Sequence, residues 1–340
     1  MKYCDRKHYA IQTQTYLSTM CGNSALGPDS KPLLTIQDVL PFYFGKDHNS
    51  LERYIDVVTY GTYTFEPINN TIYDQIIDVS DAKCTCTTGK ANKCTNTGCS
   101  YGGWLSKLPN RKLGITKILI VPDQVVCSFG GMSGKTTDQF GSIIPGATSI
   151  TSRGLNIAVL VHELFHTLGL NHSGARCDAS SRNFICTLSS AQYTFNNINT
   201  VGDVSCVMGY GGTGRFVNVA VAHKVLKCVF PIIEYTTQNK GTYKHVLPAM
   251  ELTNINCIVI KDTTIHYYIS YHKPVDITFY NGNYDNIYFD NCVLVHSILL
   301  VTSVLEVVIQ SGQERIVQNL FTVSYTGLTG QDANISITIK

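Results

Sequence analysis

The sequence predicts an α+β fold in two parts, a twisted mixed sheet with a few helices followed by a smaller all-β domain. Three observations carry this reading. Strand-like runs such as "GITKILIVP", dense in β-branched residues and closed by a proline, are interleaved with helical stretches in the first two thirds of the chain. The run "AVLVHELFHTLGL", Ala158–Leu170, has the length and apolar character of a buried helix. From about Pro231 the helical signals vanish, and segments such as "CIVIKDTTIHYYISYH" and "NLFTVSYTGL" follow, separated by Asn, Gly and Asp turns.

In chain order, Tyr9–Leu17 alternates apolar and polar residues as a strand does. Thr35–Phe44 and Leu51–Thr59 read as a helical pair interrupted near Pro41 and Gly45, and "YGTYTFEP" returns to strand character. A cysteine-rich loop over 84–99 precedes a short helix near Leu105–Asn110 and the buried strand of "GITKILIVP". The Gly-rich stretch Phe129–Gly146 follows, then a helix from Ser152 or Asn156 to Leu168. These elements form a first domain over 1–232, and the later strands a β-sandwich-like domain over 233–340. Within the Gly-rich stretch, "FGGMSGKTT" approaches a phosphate-binding loop. It has Phe129 where that motif needs glycine, and no helical pattern follows, so nucleotide binding is not expected.

Composition excludes several function classes. With 340 residues, 44% of them hydrophobic, the chain can bury sizeable cores. Only 15% are charged, the net charge is +2, and no basic stripe is present, which argues against nucleic acid or anionic lipid as partner. The most apolar late segment, Val293–Ile309, carries His296 and Glu306 and reads as strands, so no membrane span is expected. The opening "MKYCDRKHYAIQTQTYL" has no apolar core of a signal peptide. Thirteen cysteines nevertheless favour an oxidising compartment, so an extracellular or secreted location is expected. Sequons beginning at Asn69, Asn171 and Asn334 fit such a chain. The loop "CTCTTGKANKCTNTGC" lacks paired C-x2-C spacing; at least one disulfide is expected there, with free thiols or a structural zinc as alternatives.

The chemistry concentrates in "HELFHTLGLNH". In a helix, His162 and His166 stand one turn apart on one face, so both imidazoles reach a single ion. Glu163 lies on the adjacent flank, placed to act as a base on a water held there. Catalytic zinc wants three protein ligands and one open position, and His172 is the third. For His172 to return toward the ion the helix must end, and Gly169 is the residue that can adopt the left-handed conformation that ends it. A lone histidine in an apolar helix is more often a hydrogen-bonded core residue. HExxH alone arises by chance in about one chain per hundred of this size, but adding Gly169 and His172 lowers that to the order of 10⁻⁵.

HExxHxxGxxH is the signature of the metzincin zinc peptidases, and the chain resembles a member. Metzincins carry a methionine in a tight turn under the metal, and "GDVSCVMGYGG" supplies Met208, implied as an apolar floor that does not ligate. Together with "RFVNVAVAHKVLKC" and "ILIVPDQVVCSFGG", these motifs resemble the gametolysin-like peptidases, family M11, in order over roughly Ala10–Phe230. Cys228-Val229 stands where a Gly-Trp is associated with that pattern. The resemblance implies a metzincin-type catalytic domain, a Zn²⁺ cofactor, and a protein or glycoprotein substrate such as a cell-wall or matrix component. It also implies a role for Tyr210, two residues beyond Met208, where some metzincins carry a tyrosine that stabilises the oxyanion; a packed surface aromatic is the other reading.

The expected activity is therefore zinc-dependent endopeptidase chemistry, with Glu163 shuttling a proton from water to the leaving amine. The alternative is a non-catalytic binding or structural protein that keeps a zinc site for stability. A surviving Glu163 argues against it, since a purely structural site needs no base. His223, His266 and His296 lack ligand spacing and read as surface or core residues. All proposed catalytic residues precede Ile232, so a chain ending there is expected to keep the zinc site.

Overall fold

The computed structural model describes residues 9–45, 50–80, 84–87, 90–94, 104, 107–108, 115–122, 131–137, 143–176, 194–195, 198–199, 202–203, 206–209, 220, 232–250, 257–273, 291–299 and 302–340. Tyr210, His223, Cys228-Val229, most of the helix expected at 105–110 and the side chains of the 84–99 loop lie outside them. The described residues are mostly strand with three α-helices, an α+β arrangement on mixed sheets.

The chain divides into two compact units, one running from His8 to Gly169 and the other containing Leu170–Lys340. After a two-residue strand at Tyr9–Ala10, the first unit runs through β1 (Thr13–Met20), α1 (Ile36–Phe44), α2 (Leu51–Thr59) and β2 (Asn70–Asp78). A hairpin of β3 (Cys84–Thr87) and β4 (Lys90–Cys94) sets Cys84 opposite Cys94 in backbone register. Then come β5 (Thr116–Val121), β6 (Gly131–Thr137), β7 (Ile143–Arg153) and α3 (Ile157–Thr167). In the sheet β1 lies between β2 and β5, all parallel; β7 adds in parallel to β5, and β6 pairs antiparallel with β7 at the edge.

All six residues of β5 are buried, the apolar run Ile118–Val121 together with Thr116 and Lys117. The alternation over Tyr9–Leu17 marks β1 as a strand. That strand is buried on both faces, and most of its polar groups find partners inside the protein: Thr15 shares a 3.0 Å hydrogen bond with the Tyr43 hydroxyl on α1, Ser18 Oγ donates to the Ile120 carbonyl at 2.8 Å, and Gln14 Nε2 donates to the Tyr73 hydroxyl at 3.0 Å, while Gln14 Oε1 has no partner among the described residues. From Gly131 onward the stretch that imitates a phosphate-binding loop is strand β6.

The second unit is a two-sheet β structure. One sheet orders its strands, from the edge formed by Thr194–Phe195 and Ile198–Asn199, as β8 (Ser173–Arg176), β14 (Thr302–Ile309), β13 (Cys292–Leu299), β12 (His266–His272), β11 (Cys257–Lys261) and β9 (Ile232–Thr236). The other orders β10 (Gly241–Leu247), β17 (Asp332–Ile339), β16 (Phe321–Thr329) and β15 (Gln313–Val317), all antiparallel. Ile260, Ile269 and Val295 of the first sheet share one buried cluster with Val323, Tyr325 and Ile337 of the second. Each such side chain, fully buried, contributes about 1.5–3 kcal/mol.

The units divide at Gly169, whereas the sequence reading divides the chain at 232. The reason is β8. Ser173, Gly174 and Ala175 pair in parallel with Ser303, Val304 and Leu305 of β14, which ties the segment after the helix to strands 130 residues further along the chain. Parallel pairing across such a separation leaves no local pattern to read.

Candidate metal centre

Helix α3 begins where Asn156 caps it, its side chain accepting from Val159 N at 3.1 Å. It ends at Leu168, and Gly169 takes the left-handed conformation, φ +87°, while its N–H bonds the His166 carbonyl at 2.9 Å. The end is where the sequence places it, and the start is the second of the two the sequence offers, Asn156 rather than Ser152. Between them the helix buries Ile157 to Val161 and Glu163 to Phe165, leaving His162 and His166 half-buried.

The helical pitch brings those two rings together. Their Nε2 atoms are 3.1 Å apart, and the rings meet edge to face with centroids 4.7 Å apart. A tetrahedral ion at about 2.0–2.1 Å from each nitrogen would separate two ligands by about 3.3 Å, so the pair fits zinc with little adjustment. His172 completes the group: one nitrogen from each of the three rings lies within 4.8 Å of the others. All three are on one continuous run of chain, so helix pitch and the turn at Gly169 account for the cluster. His172 is held below its ordinary pKa by desolvation, which favours the neutral ring that ligates. Imidazole donors suit zinc and, equally by donor type, copper, iron or nickel.

Glu163 is buried, with 6% of its surface exposed. Burial pushes its carboxyl up to about 7, while hydrogen bonds from the Ser133 hydroxyl and Ser133 N–H pull the other way. Ser133 sits on edge strand β6, two residues after Gly131, whose backbone approaches the same helix face. The contribution of β6 was not evident in the sequence; the glycine inside a strand was the available sign of a close backbone approach.

Met208 is fully buried in a turn, and its carbonyl accepts from Ser173 N at 2.8 Å. The same turn donates back, Asp203 N to the Ser173 carbonyl at 3.2 Å. Gly209 is obligatory here, since a β-carbon would lie 2.1 Å from the Asp203 carbonyl oxygen. The methionine turn is thus fastened to the residue directly after His172. Of the residues singled out beforehand, His162, His166 and His172 are brought together with Glu163 beside them in sequence, and Gly169 and Met208 occupy turns. Asp203 lies inside the quoted "GDVSCVMGYGG" and Ser173 closes the sequon at Asn171, neither with an assigned role in the site, and His296, read as a surface or core residue, is a core residue bonded to Asp203.

Elsewhere, Cys21 is disulfide-bonded, and Cys206, Cys257 and Cys292 are free and buried. Among the described residues no helix is long and apolar enough to cross a membrane. Compared with protein-family models and with curated proteins, the chain matches none.

Proposed function

We propose that this chain is a zinc-dependent metalloendopeptidase, with His162, His166 and His172 as ligands and Glu163 as general base. The observation that carries the reading is the three-nitrogen cluster joined in sequence to a buried glutamate. When bound, zinc supplies the Lewis acidity that polarises a peptide carbonyl and acidifies a water. Glu163, held by Ser133 and raised toward neutrality by burial, takes a proton from the attacking water and delivers it to the leaving amine. Gly169 keeps the third ligand turned back, and Met208 supplies an apolar floor. An extended peptide added to the edge of β6 would run past Ser133, beside the base.

The resemblance to gametolysin-like metzincins supports the same reading and suggests proteins or glycoproteins of a cell wall or matrix as substrates. The disulfide at Cys21 is in keeping with an extracellular location. The decisive experiment measures zinc content alongside cleavage of a mixed protein substrate. Equimolar zinc, with cleavage abolished by a chelator and restored by zinc, is the expected result. Zinc without cleavage would favour the non-catalytic alternative, and absence of both would remove the reading.

A further inference from the structure

The residue after His172 is held from two directions by groups with no place in the chemistry so far. Ser173, Asp203 and His296 are each fully buried. Ser173 Oγ donates to Asp203 Oδ2 at 2.7 Å, and His296 Nε2 donates to that same oxygen at 3.0 Å. His296 lies on β13, and the ladder between β13 and β14 slips between Val295 and His296. The slip leaves Glu306 as the extra residue on β14, and Glu306 binds Arg176 at the far end of β8. The short strand that continues from His172 is therefore fixed at its first residue by Asp203 and His296 and at its last by Glu306.

Such an arrangement is costly as mere packing. A buried carboxylate must be fully hydrogen-bonded, and apolar residues of similar volume would often serve stability as well. Among the described residues His296 Nδ1 has no hydrogen-bond partner, so the imidazole is retained for its one bond, to Asp203. What that bond orients is Ser173, and adjacent α-carbons are only about 3.8 Å apart, so a displaced Ser173 carries His172 with it.

We propose that Asp203 and His296 are positioning residues for the third metal ligand, which makes the C-terminal sheet part of the zinc centre. The proposal rests on the metal-centre reading above. It reverses the expectation that a chain ending near Ile232 keeps the site, because such a chain lacks His296 and β14 altogether.

The test uses the full chain, with zinc affinity measured by competition against a chromophoric chelator and coordination read from the ligand-field spectrum of the Co²⁺-loaded protein. His296→Leu is expected to lower zinc affinity roughly 10- to 100-fold and to alter the Co²⁺ bands of the folded protein. His296→Gln, whose amide nitrogen can reach Asp203 as Nε2 does, is expected to restore both. A folded His296→Leu protein with parental affinity and an unchanged spectrum overturns the proposal. If His296→Leu does not fold, Ser173→Ala decides: it keeps the His296–Asp203 pair and cuts only the link to the ligand's neighbour, so reduced affinity supports the proposal and parental affinity overturns it. His166→Ala separates the two levels. If the parent binds zinc no more tightly than His166→Ala, the metal-centre reading itself fails; if His166 matters and His296 and Ser173 do not, only the positioning role fails.

Discussion

Gly131 on β6 lies so close to Glu163 on α3 that a β-carbon at 131 would stand 3.0 Å from Glu163 Cγ and 3.1 Å from its Oε1. The same atom would be 2.5 Å from Val159 Cγ1, a contact that forces movement. Val159 is β-branched and stiff, so the strand must give way, and with it the hydrogen bonds that Ser133 gives Glu163. Gly131→Ala is expected to destabilise the chain by about 1–3 kcal/mol as overpacking does. It is also expected to reduce peptide hydrolysis at least about tenfold with zinc content intact, because a misplaced base costs rate out of proportion to its shift. Unchanged kinetics in the folded variant would show that the close approach has no bearing on the base.

Glu163→Gln keeps side-chain volume and all three imidazoles. Hydrolysis is expected to fall about 10²- to 10⁴-fold from loss of general-base catalysis, with zinc stoichiometry preserved. His166→Ala should act in the opposite order, losing zinc first and the stability coupled to it. Metal analysis and turnover measured on the same preparations distinguish the two. Parental turnover by Glu163→Gln would remove the glutamate from the mechanism.

How much of this could be read from the chain alone depends on how local each determinant is. Helix α3 and its turn were legible because Asn156, the i and i+4 histidines and Gly169 act within one short run. Strand β5 was legible because its apolar, mostly β-branched run Ile118–Val121 suits burial on both faces, although the burial of Thr116 and Lys117 was not. Strand β1 was legible as a strand but its burial on both faces was not, because Thr13, Thr15 and Ser18 are polar; they are buried, with partners on distant elements, as Tyr43 is for Thr15. The polar scaffold behind His172 was the least legible. Asp203 and His296 are 93 positions apart, and neither residue type announces burial. The division at Gly169 was hidden for the same reason, since it depends on the parallel pairing of β8 with β14.

The C-terminal sheets carry a pH-dependent contribution at His245. Its Nε2 shares a 2.9 Å hydrogen bond with the Tyr235 hydroxyl, and burial holds its pKa below the ordinary value of 6.5. Because the folded-state pKa is depressed, the unfolded chain takes up the proton more readily. Stability from this group is complete above about 6.5 and declines as pH falls from there to the folded value. Urea midpoints measured across this window should fall less steeply for His245→Gln than for the parent. Identical slopes would assign the acid sensitivity to other groups.

A buried ion pair of the second unit offers a stability test independent of zinc. Arg176 meets Glu306 with both nitrogens of a bidentate pair, the Nη2 to Oε1 contact being 3.1 Å. Ser297 Oγ adds a 2.6 Å bond to Oε1 and Gln318 Nε2 a 2.9 Å bond to Oε2, so the carboxylate of a residue only 2% exposed accepts from three side chains. Arg176→Met leaves that charge buried without its cation, and a loss of about 3–5 kcal/mol is expected from urea unfolding. Adding Glu306→Leu removes the stranded charge, but Ser297 and Gln318 then lack their acceptor, which costs about 1–3 kcal/mol. The double variant should therefore be more stable than Arg176→Met alone while remaining below the parent. Simple addition of the two single losses would mean that the pair is not coupled and that β8 is held at its far end by backbone pairing alone.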